Sequence, residues 1–241
     1  MNVDKCDEYE FFMKNRPHVV LLGAGTTMAA IPNGDKNGRK SSVMNNFIEE
    51  LGMSSIIKSI KLNTKSNNLE DIYSELHDRT DCQIVREQLD NKIREYFSRL
   101  EIPDEPNIYD LILLSLQKKD LVATFNWDPL LLQAYQRAVR ITKDLPNLAF
   151  LHGNVLVGYC LDHKYWGMID SICIECRKPF QPSRLLYPVR QKNYAADPYT
   201  QDNWKAVRNA FRQAYLVTIF GYSAPSSDVE AVNLLKKAWG K

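Results

Sequence analysis

The chain has 241 residues, 44% hydrophobic and 25% charged, enough to bury one substantial core and a small satellite but too little for two full domains. Its 31 basic and 29 acidic residues leave a formal charge of +2, so nothing in the electrostatics directs it to nucleic acid or to an anionic membrane. The N-terminal MNVDKCDEYEFF lacks a charged segment followed by an apolar run, and no later stretch reaches the ~20 apolar residues of a membrane span, so a cytoplasmic protein is expected.

In chain order, the first strong signal is HVVLL at residues 18–22, an apolar run that stops at Gly23-Ala24-Gly25. A polar loop follows, Asn33-Gly34-Asp35-Lys36-Asn37-Gly38. Helical spacing without a good strand then covers residues 42–51, 69–77, 83–100 and 108–118, most of it read as a helical insertion beside the sheet. LVAT at 121–124 meets Phe125-Asn126-Trp127-Asp128-Pro129, a helix is predicted over 130–140, and LAFL at 148–151 meets His152-Gly153-Asn154. After a cysteine-rich stretch come a predicted helix at 202–214 and the run YLVTIF at 215–220, which ends in Gly221-Tyr222-Ser223. The last predicted helix, 227–239, is opened by Ser227-Asp228 and has an apolar face at Val229, Val232 and Leu235.

Four apolar runs without polar alternation, separated by helices, predict an α/β fold whose parallel sheet is covered on both faces. Ligands of such sheets collect at the carboxyl ends of the strands. All four polar turns lie there, which would bring Gly23, Asn126, His152 and Gly221 into one crevice.

Each turn has two readings. Gly23-Ala24-Gly25-Thr26-Thr27 is small enough to let a pyrophosphate approach backbone N–H groups, and it also reads as an ordinary strand-to-helix turn. Asn126 and Asp128 either form an Asx turn ahead of Pro129 or face His152, where an amide can hold a ribose hydroxyl or a water and an imidazole can take a proton from either. His152 by itself also reads as a hydrogen-bonded core histidine.

The sharpest pattern is Cys160-Leu161-Asp162-His163, nine residues, then Cys173-Ile174-Glu175-Cys176: two ligand pairs that can close a tetrahedral Cys3His zinc site. Four protein ligands leave no open position, so the zinc would be structural, with Glu175 not needed as a ligand. Cys6 and Cys82 read as free thiols with no neighbour to activate them. Core packing is expected for Trp127, Trp166, Trp204 and Trp239, and a solvated face for Arg177, Lys178, Arg184, Arg190 and Lys192.

Taken in order, these segments resemble the sirtuin, or SIR2-like, family. GAGTTMAAIP at residues 23–32 is similar to the family's Gly-Ala-Gly turn and following Ile-Pro, and TFNWD at 124–128 to its Thr-x-Asn-x-Asp motif. LHG at 151–153 is similar to the segment that carries the catalytic histidine, with the first zinc ligand eight residues after His152, and FGYS at 220–223 to the late Gly-x-Ser turn. The resemblance spans about residues 19–229. It implies a Rossmann-like, doubly wound NAD-binding domain from residues 1–32, 107–154 and 200–241, a helical insertion at 33–106 and a small zinc-binding module at 155–199. It further implies NAD as a substrate, with Gly23, Ala24, Gly25 and Thr26 near its phosphates and Ile31, Pro32, Gly221, Tyr222 and Ser223 completing the contacts. Asn126 and His152 would flank the nicotinamide ribose, with Asp128 closer to the nicotinamide and His152 acting as base.

The chain departs from the family's protein deacylases where the acceptor would sit. Asn33-Gly34-Asp35 stands where they usually carry Phe-Arg, Leu186-Tyr187-Pro188-Val189-Arg190 where they carry Phe-Gly-Glu, and a histidine replaces one of four zinc cysteines. Asn126 and His152 without a peptide groove favour water as acceptor, giving ADP-ribose and nicotinamide, an activity seen among SIR2-like proteins of bacterial antiphage defence. Such enzymes are often held inactive until a partner arrives, so an activating protein or a homo-oligomer is the expected macromolecular partner. The alternatives are an NAD-dependent protein-lysine deacylase and a non-catalytic module that senses NAD or ADP-ribose. The strand and turn that related domains place near the adenine have no candidate before Lys241, so either a partner or further segment completes that side or NAD binding is weak.

Overall fold

The computed structural model describes residues 13–41, 47–77, 79–187, 198–224 and 228–239. Strands β1 (His18–Leu22), β2 (Leu121–Thr124), β3 (Asn147–Phe150) and, after three short strands of a separate sheet, β7 (Leu216–Phe220) form one parallel sheet in the order β3-β2-β1-β7. The register aligns Phe220, Leu22, Thr124 and Phe150 on a single rung. All four strands therefore stop level with one another, and their turns leave from the same edge. The chain steps from β1 to β3 one way across the sheet and returns to the other side of β1 with β7, the reversal at which a doubly wound, Rossmann-like sheet opens a crevice.

Alternate strand residues serve two cores, as the period of two dictates for a sheet covered on both faces. Val20, Leu22, Val122 and Phe150 face a core built with helices α1 (Ala24–Ala30), α2 (Phe47–Glu50), α3 (Ser54–Lys58), α4 (Leu69–His77), α5 (Gln83–Ser98), α6 (Ile108–Leu114) and α7 (Leu130–Ala138). Val19, Leu21, Leu121, Ala123 and Ala149 face a second, built with Trp204, Val207 and Phe211 of α8 (Pro198–Gln213) and Ala231 and Ala238 of α9 (Val229–Trp239). Each buried Val, Leu or Phe contributes roughly 1.5–3 kcal/mol.

The helices form where the sequence stripes fall. α4 buries Leu69, Ile72, Tyr73 and Leu76, an i, i+3, i+4, i+7 pattern, and α8 buries Thr200, Trp204, Val207 and Phe211. α6 is fixed at its start by a capping box: Asn107 accepts the Tyr109 N–H at 2.9 Å, and Asp110 accepts the Asn107 N–H at 2.8 Å. That start places the fully buried Tyr109 beside the β1 and β2 turns.

The structure corrects several expectations. β7 is not covered on both faces: it is one of the two edge strands, and Leu216 and Ile219 are 45% and 60% exposed. α9 packs Leu235 on the core as expected, but the residues it buries fully there are Ala231 and Ala238, and Val229 is exposed. Trp127 and Trp204 are buried as expected, but Trp166 is half exposed on the small sheet, which is too thin to enclose an indole. Residues 42–46, the cap residue Ser227, Cys6, residues 188–190, Lys192 and the Trp239 side chain lie outside the described residues. No helix of the described residues is long and apolar enough to cross a membrane.

Between β3 and α8 lies the small antiparallel sheet, β4 (Val157–Tyr159), β5 (Trp166–Met168) and β6 (Gln181–Pro182), in the order β5-β4-β6.

Candidate functional site

Two glycine turns interlock at the ends of β1 and β7. The Gly23 N–H donates to the Phe220 carbonyl at 3.0 Å, the Gly25 N–H to the Gly221 carbonyl at 2.9 Å, and the Thr26 hydroxyl to the Phe220 carbonyl at 2.9 Å. Gly221 has φ +67°, and a Cβ there would lie 2.3 Å from the Thr26 nitrogen; a Cβ on Gly23 would lie 2.6 Å from the Gly221 oxygen. The backbones meet where any side chain would part them. Thr26 is thereby committed to β7, whereas Ala24 is exposed and Gly25 half-buried at the start of α1. Ile31 is buried as the C-cap of α1, and Pro32 and Ser223 are exposed.

Asn126 lies two residues beyond the common rung on β2, and His152 two residues beyond it on β3. Neighbouring strands, about 4.8 Å apart, thus carry them level. Asn126 is buried, and its Nδ2 donates to the Gly23 carbonyl and to Thr27 Oγ1, both at 2.9 Å, with the Tyr109 hydroxyl at 3.4 Å. A carbonyl only accepts, so the amide is oriented with Nδ2 inward and Oδ1 on the opposite side.

The Thr27 hydroxyl donates to Asp128 Oδ2 at 2.6 Å and lies 3.2 Å from the Tyr109 hydroxyl, while Asp128 Oδ1 accepts the Leu130 N–H at 3.1 Å. An ionised carboxylate only accepts, so the protons run from Tyr109 to Thr27 and from Thr27 to Asp128. Burial pushes the Asp128 carboxyl above the ordinary carboxylate range, opposed by the Thr27 bond. Burial and the adjacent Asp128 charge push the Tyr109 phenol up, so it stays a donor. Asp128 thus both makes an Asx turn just ahead of α7 and belongs to the network that holds Asn126.

His152 is buried, with Nε2 3.7 Å from Asp228 Oδ1 and its ring edge-on to Phe125 at 5.0 Å. Phe125 stacks on Tyr222 at 4.1 Å. The segment after the small sheet is laid onto this turn: the Leu186 N–H donates to the His152 carbonyl at 2.9 Å, and the Ser183 hydroxyl to the Asn154 carbonyl at 2.8 Å. Gly153, at φ +80°, passes so close that a Cβ would lie 2.2 Å from the Arg184 oxygen. Tyr187 then stacks on Tyr73 of α4 at 4.7 Å and meets Trp127 at 5.4 Å. The loop after α1 is closed as well, because the buried Asp35 accepts the N–H groups of Asn37, Arg39 and Glu101 at 2.9, 2.8 and 3.1 Å.

No motif in the sequence marks Thr27, Tyr109, Phe125 or Asp228 as a site residue. A tyrosine on a buried helical stripe was a usable signal, since its hydroxyl needs a partner. Asp228 was legible only as part of a helix start.

In the small module both ligand pairs make the same turn. The Lys164 N–H donates to the Cys160 carbonyl at 2.8 Å and the Arg177 N–H to the Cys173 carbonyl at 2.9 Å, with Lys164 and Arg177 left-handed at φ +57° and +58°. These turns aim four donors at one point. Cys160 Sγ is 3.7 Å from both His163 Nδ1 and Cys176 Sγ, Cys173 Sγ is 3.6 Å from His163 Nδ1, and all four ligand atoms lie within 4.8 Å of one another. A zinc tetrahedron with the usual bond lengths has S–S and S–N edges of about 3.8 and about 3.6 Å, so set and spacing both fit. Burial raises the Cys173 thiol, but the N–H groups of Cys176 and Glu175 outweigh it and hold the thiol at about 7, which favours the thiolate a metal needs. As expected, Arg177, Lys178 and Arg184 are exposed and Cys82 is buried.

The fold and site define a doubly wound α/β protein with a polar crevice at its strand ends and a Cys3His module beside it. No protein-family model matches the sequence, and no curated protein matches it. Solved structures that align with it include a Sir2 protein in complex with an inhibitor, 2'-O-acetyl-ADP-ribose and a deacetylated p53 peptide, at 17% identity and a TM-score of 0.42 over 97% of this chain and 83% of that one. Others are a Sir2–p53 peptide–NAD+ structure, at 18% identity and a TM-score of 0.40 over 99% and 85% of the chains, and a Sir2 homolog–NAD complex, at 15% and 0.41 over 99% and 80%. At such identities and scores no residue role passes from those proteins to this one.

Proposed function

We propose that this protein consumes NAD by cleaving the bond between nicotinamide and ribose, with water as the acceptor. The observation that carries the reading is that Asn126 and His152 stand level on adjacent strand ends, one with its amide orientation set by Gly23 and Thr27 and the other a buried imidazole. Asn126 Oδ1 can accept from a ribose hydroxyl or a water, and His152 can take a proton. Water adds to the ribose C1′ as the bond to nicotinamide breaks, and the water's proton passes to His152. The products are ADP-ribose, nicotinamide and one proton. Holding the reacting atoms in place supplies much of the rate in such a step.

Water is favoured over a peptide because residues 183–187 are laid on the His152 turn and Tyr187 is packed against Tyr73 and Trp127, filling that side with the chain's own segment. Zinc held by Cys160, His163, Cys173 and Cys176 would act as a structural cross-link that keeps this segment in place.

The test is nicotinamide release from NAD, with and without an acetyl-lysine peptide, by the wild type, Asn126→Ala and His152→Ala. Release without peptide that both substitutions abolish is expected. Release only with peptide would make the protein a deacylase, and tight ADP-ribose binding without turnover would make it a sensor.

A further inference from the structure

Four side chains from four different strand or helix ends, His152 among them, close into a ring. His152 meets Phe125 edge-on at 5.0 Å, Phe125 stacks on Tyr222 at 4.1 Å with 12° between the planes, and the Tyr222 hydroxyl donates to Asp228 Oδ2 at 3.1 Å. The other carboxylate oxygen, Asp228 Oδ1, returns to His152 Nε2 at 3.7 Å, an ion-pair distance. Both partners of that pair are buried, with side chains 7% and 4% exposed. A buried carboxylate is costly unless bonded and opposed by positive charge. The Tyr222 phenol supplies a bond, and a protonated His152 would supply the charge.

We propose that Asp228 is the positioning residue for His152: it holds the imidazole against Phe125 and takes up the positive charge that forms when the ring accepts a proton. The inference rests on the reading of His152 as the base. With Asp228 facing Nε2, that nitrogen carries the hydrogen and Nδ1 the lone pair, because the group facing one ring nitrogen sets the state of the other. The aromatic stack gives the ring a fixed plane, and the Tyr222 bond keeps the carboxylate from turning away. Burial and the Asp228 charge push the Tyr222 phenol up, so it remains a hydrogen-bond donor throughout the working range. Among the described residues, the imidazole is faced by Asp228 from the start of α9, by Tyr222 from the β7 turn through that carboxylate, and by the uncharged Phe125 ring from the β2 turn.

The experiment is an NMR titration of the His152 ring in the full chain without substrate, the signal assigned by its loss in His152→Gln. The wild type is compared with Asp228→Asn, Asp228→Ser and Asp228→Glu. The His18 and His77 signals report whether each variant is folded, and the Ser variant serves if the Asn variant is not. Removing the carboxylate is expected to lower the His152 titration midpoint by about one unit or more, and Asp228→Glu to restore most of it. In parallel, the acid limb of nicotinamide release should move with that midpoint in Asp228→Asn, and kcat should fall about tenfold or more. A lowered midpoint in the Asp228 variants beside a wild type that releases no nicotinamide would remove the reaction and leave the pair. A reaction that proceeds while His152 titrates alike in the wild type and in folded Asp228 variants would remove the pair and leave the reaction.

Discussion

The Thr27 hydroxyl reaches Asp128 across 2.6 Å, and this bond gives direction to the hydrogen bonds around Asn126. With its one proton spent on Asp128, Thr27 can only accept from Asn126 and Tyr109. Thr27→Val removes both the donor and the acceptor and leaves a buried carboxylate short of a bond, an expected loss of about 1–3 kcal/mol in unfolding free energy. Nicotinamide release should fall with it, by about tenfold or more, as Asn126 loses its anchor. Tyr109→Phe removes a single hydroxyl at the far side and should cost less on both measures; a larger effect for Tyr109→Phe would contradict the proposed order of donors.

The pH dependence follows from Asp128. Burial raises its folded pKa, so between the ordinary carboxylate value and the raised one the folded chain holds a proton that the unfolded chain has released. Stability is therefore unpenalised below the ordinary value, declines as pH rises through that window, and carries the full penalty above it. Asp128→Asn escapes the penalty: its melting midpoint should exceed that of the wild type at neutral pH, the gap closing as the pH drops below about 4. The substitution should also lower nicotinamide release, since an amide has one accepting atom where the carboxylate takes the Thr27 hydroxyl and the Leu130 N–H on two.

Gly221 and Gly38 form a matched pair for testing the interlocked turns. Both have positive φ, +67° and +77°, but a Cβ on Gly221 would sit 2.3 Å from the Thr26 nitrogen while one on Gly38 meets nothing within 4 Å. Gly38→Ala should cost about 1 kcal/mol from its backbone conformation alone. Gly221→Ala adds a main-chain clash and should cost at least about 1–3 kcal/mol more in chemical denaturation, with NAD turnover lost.

Zinc content tests the module directly. Metal analysis of protein purified without chelator should give about one zinc per chain, and near-zero metal with all thiols free would sink the Cys160, His163, Cys173 and Cys176 assignment. Val157 and Tyr159 anchor β4 in the main core, but the cluster around the ligand turns is only Cys160, Cys173 and Phe180 among the described residues, too small to fix those turns unaided. Chelation or Cys173→Ser should therefore lower the melting midpoint and loosen the segment that reaches Leu186.

Lys164 and Arg177 occupy left-handed conformations that a side chain disfavours by about 1–2 kcal/mol. Lys164→Gly and Arg177→Gly should each relieve part of that strain and raise stability by up to about 1 kcal/mol, with zinc stoichiometry unchanged. Loss of stability in both variants would show that the lysine and arginine side chains matter more than the turn.

The sequence alone determined the local features of this protein: four apolar strand runs, the polar turns after them, and two metal-ligand pairs in matching turns. These are legible because periodicity, glycine and ligand spacing act over a few neighbouring residues. Tertiary structure decided what those features meet. The shared rung that sets Asn126 level with His152 depends on strand order and register, and the exposure of Leu216 and Ile219 depends on β7 falling at the edge. Thr27 finds Asp128 101 positions away, and Asp228 reaches His152 from the start of the last helix. Such pairs leave no periodic trace along the chain, because a long-range contact is set by how two elements pack and not by the residues adjoining either one.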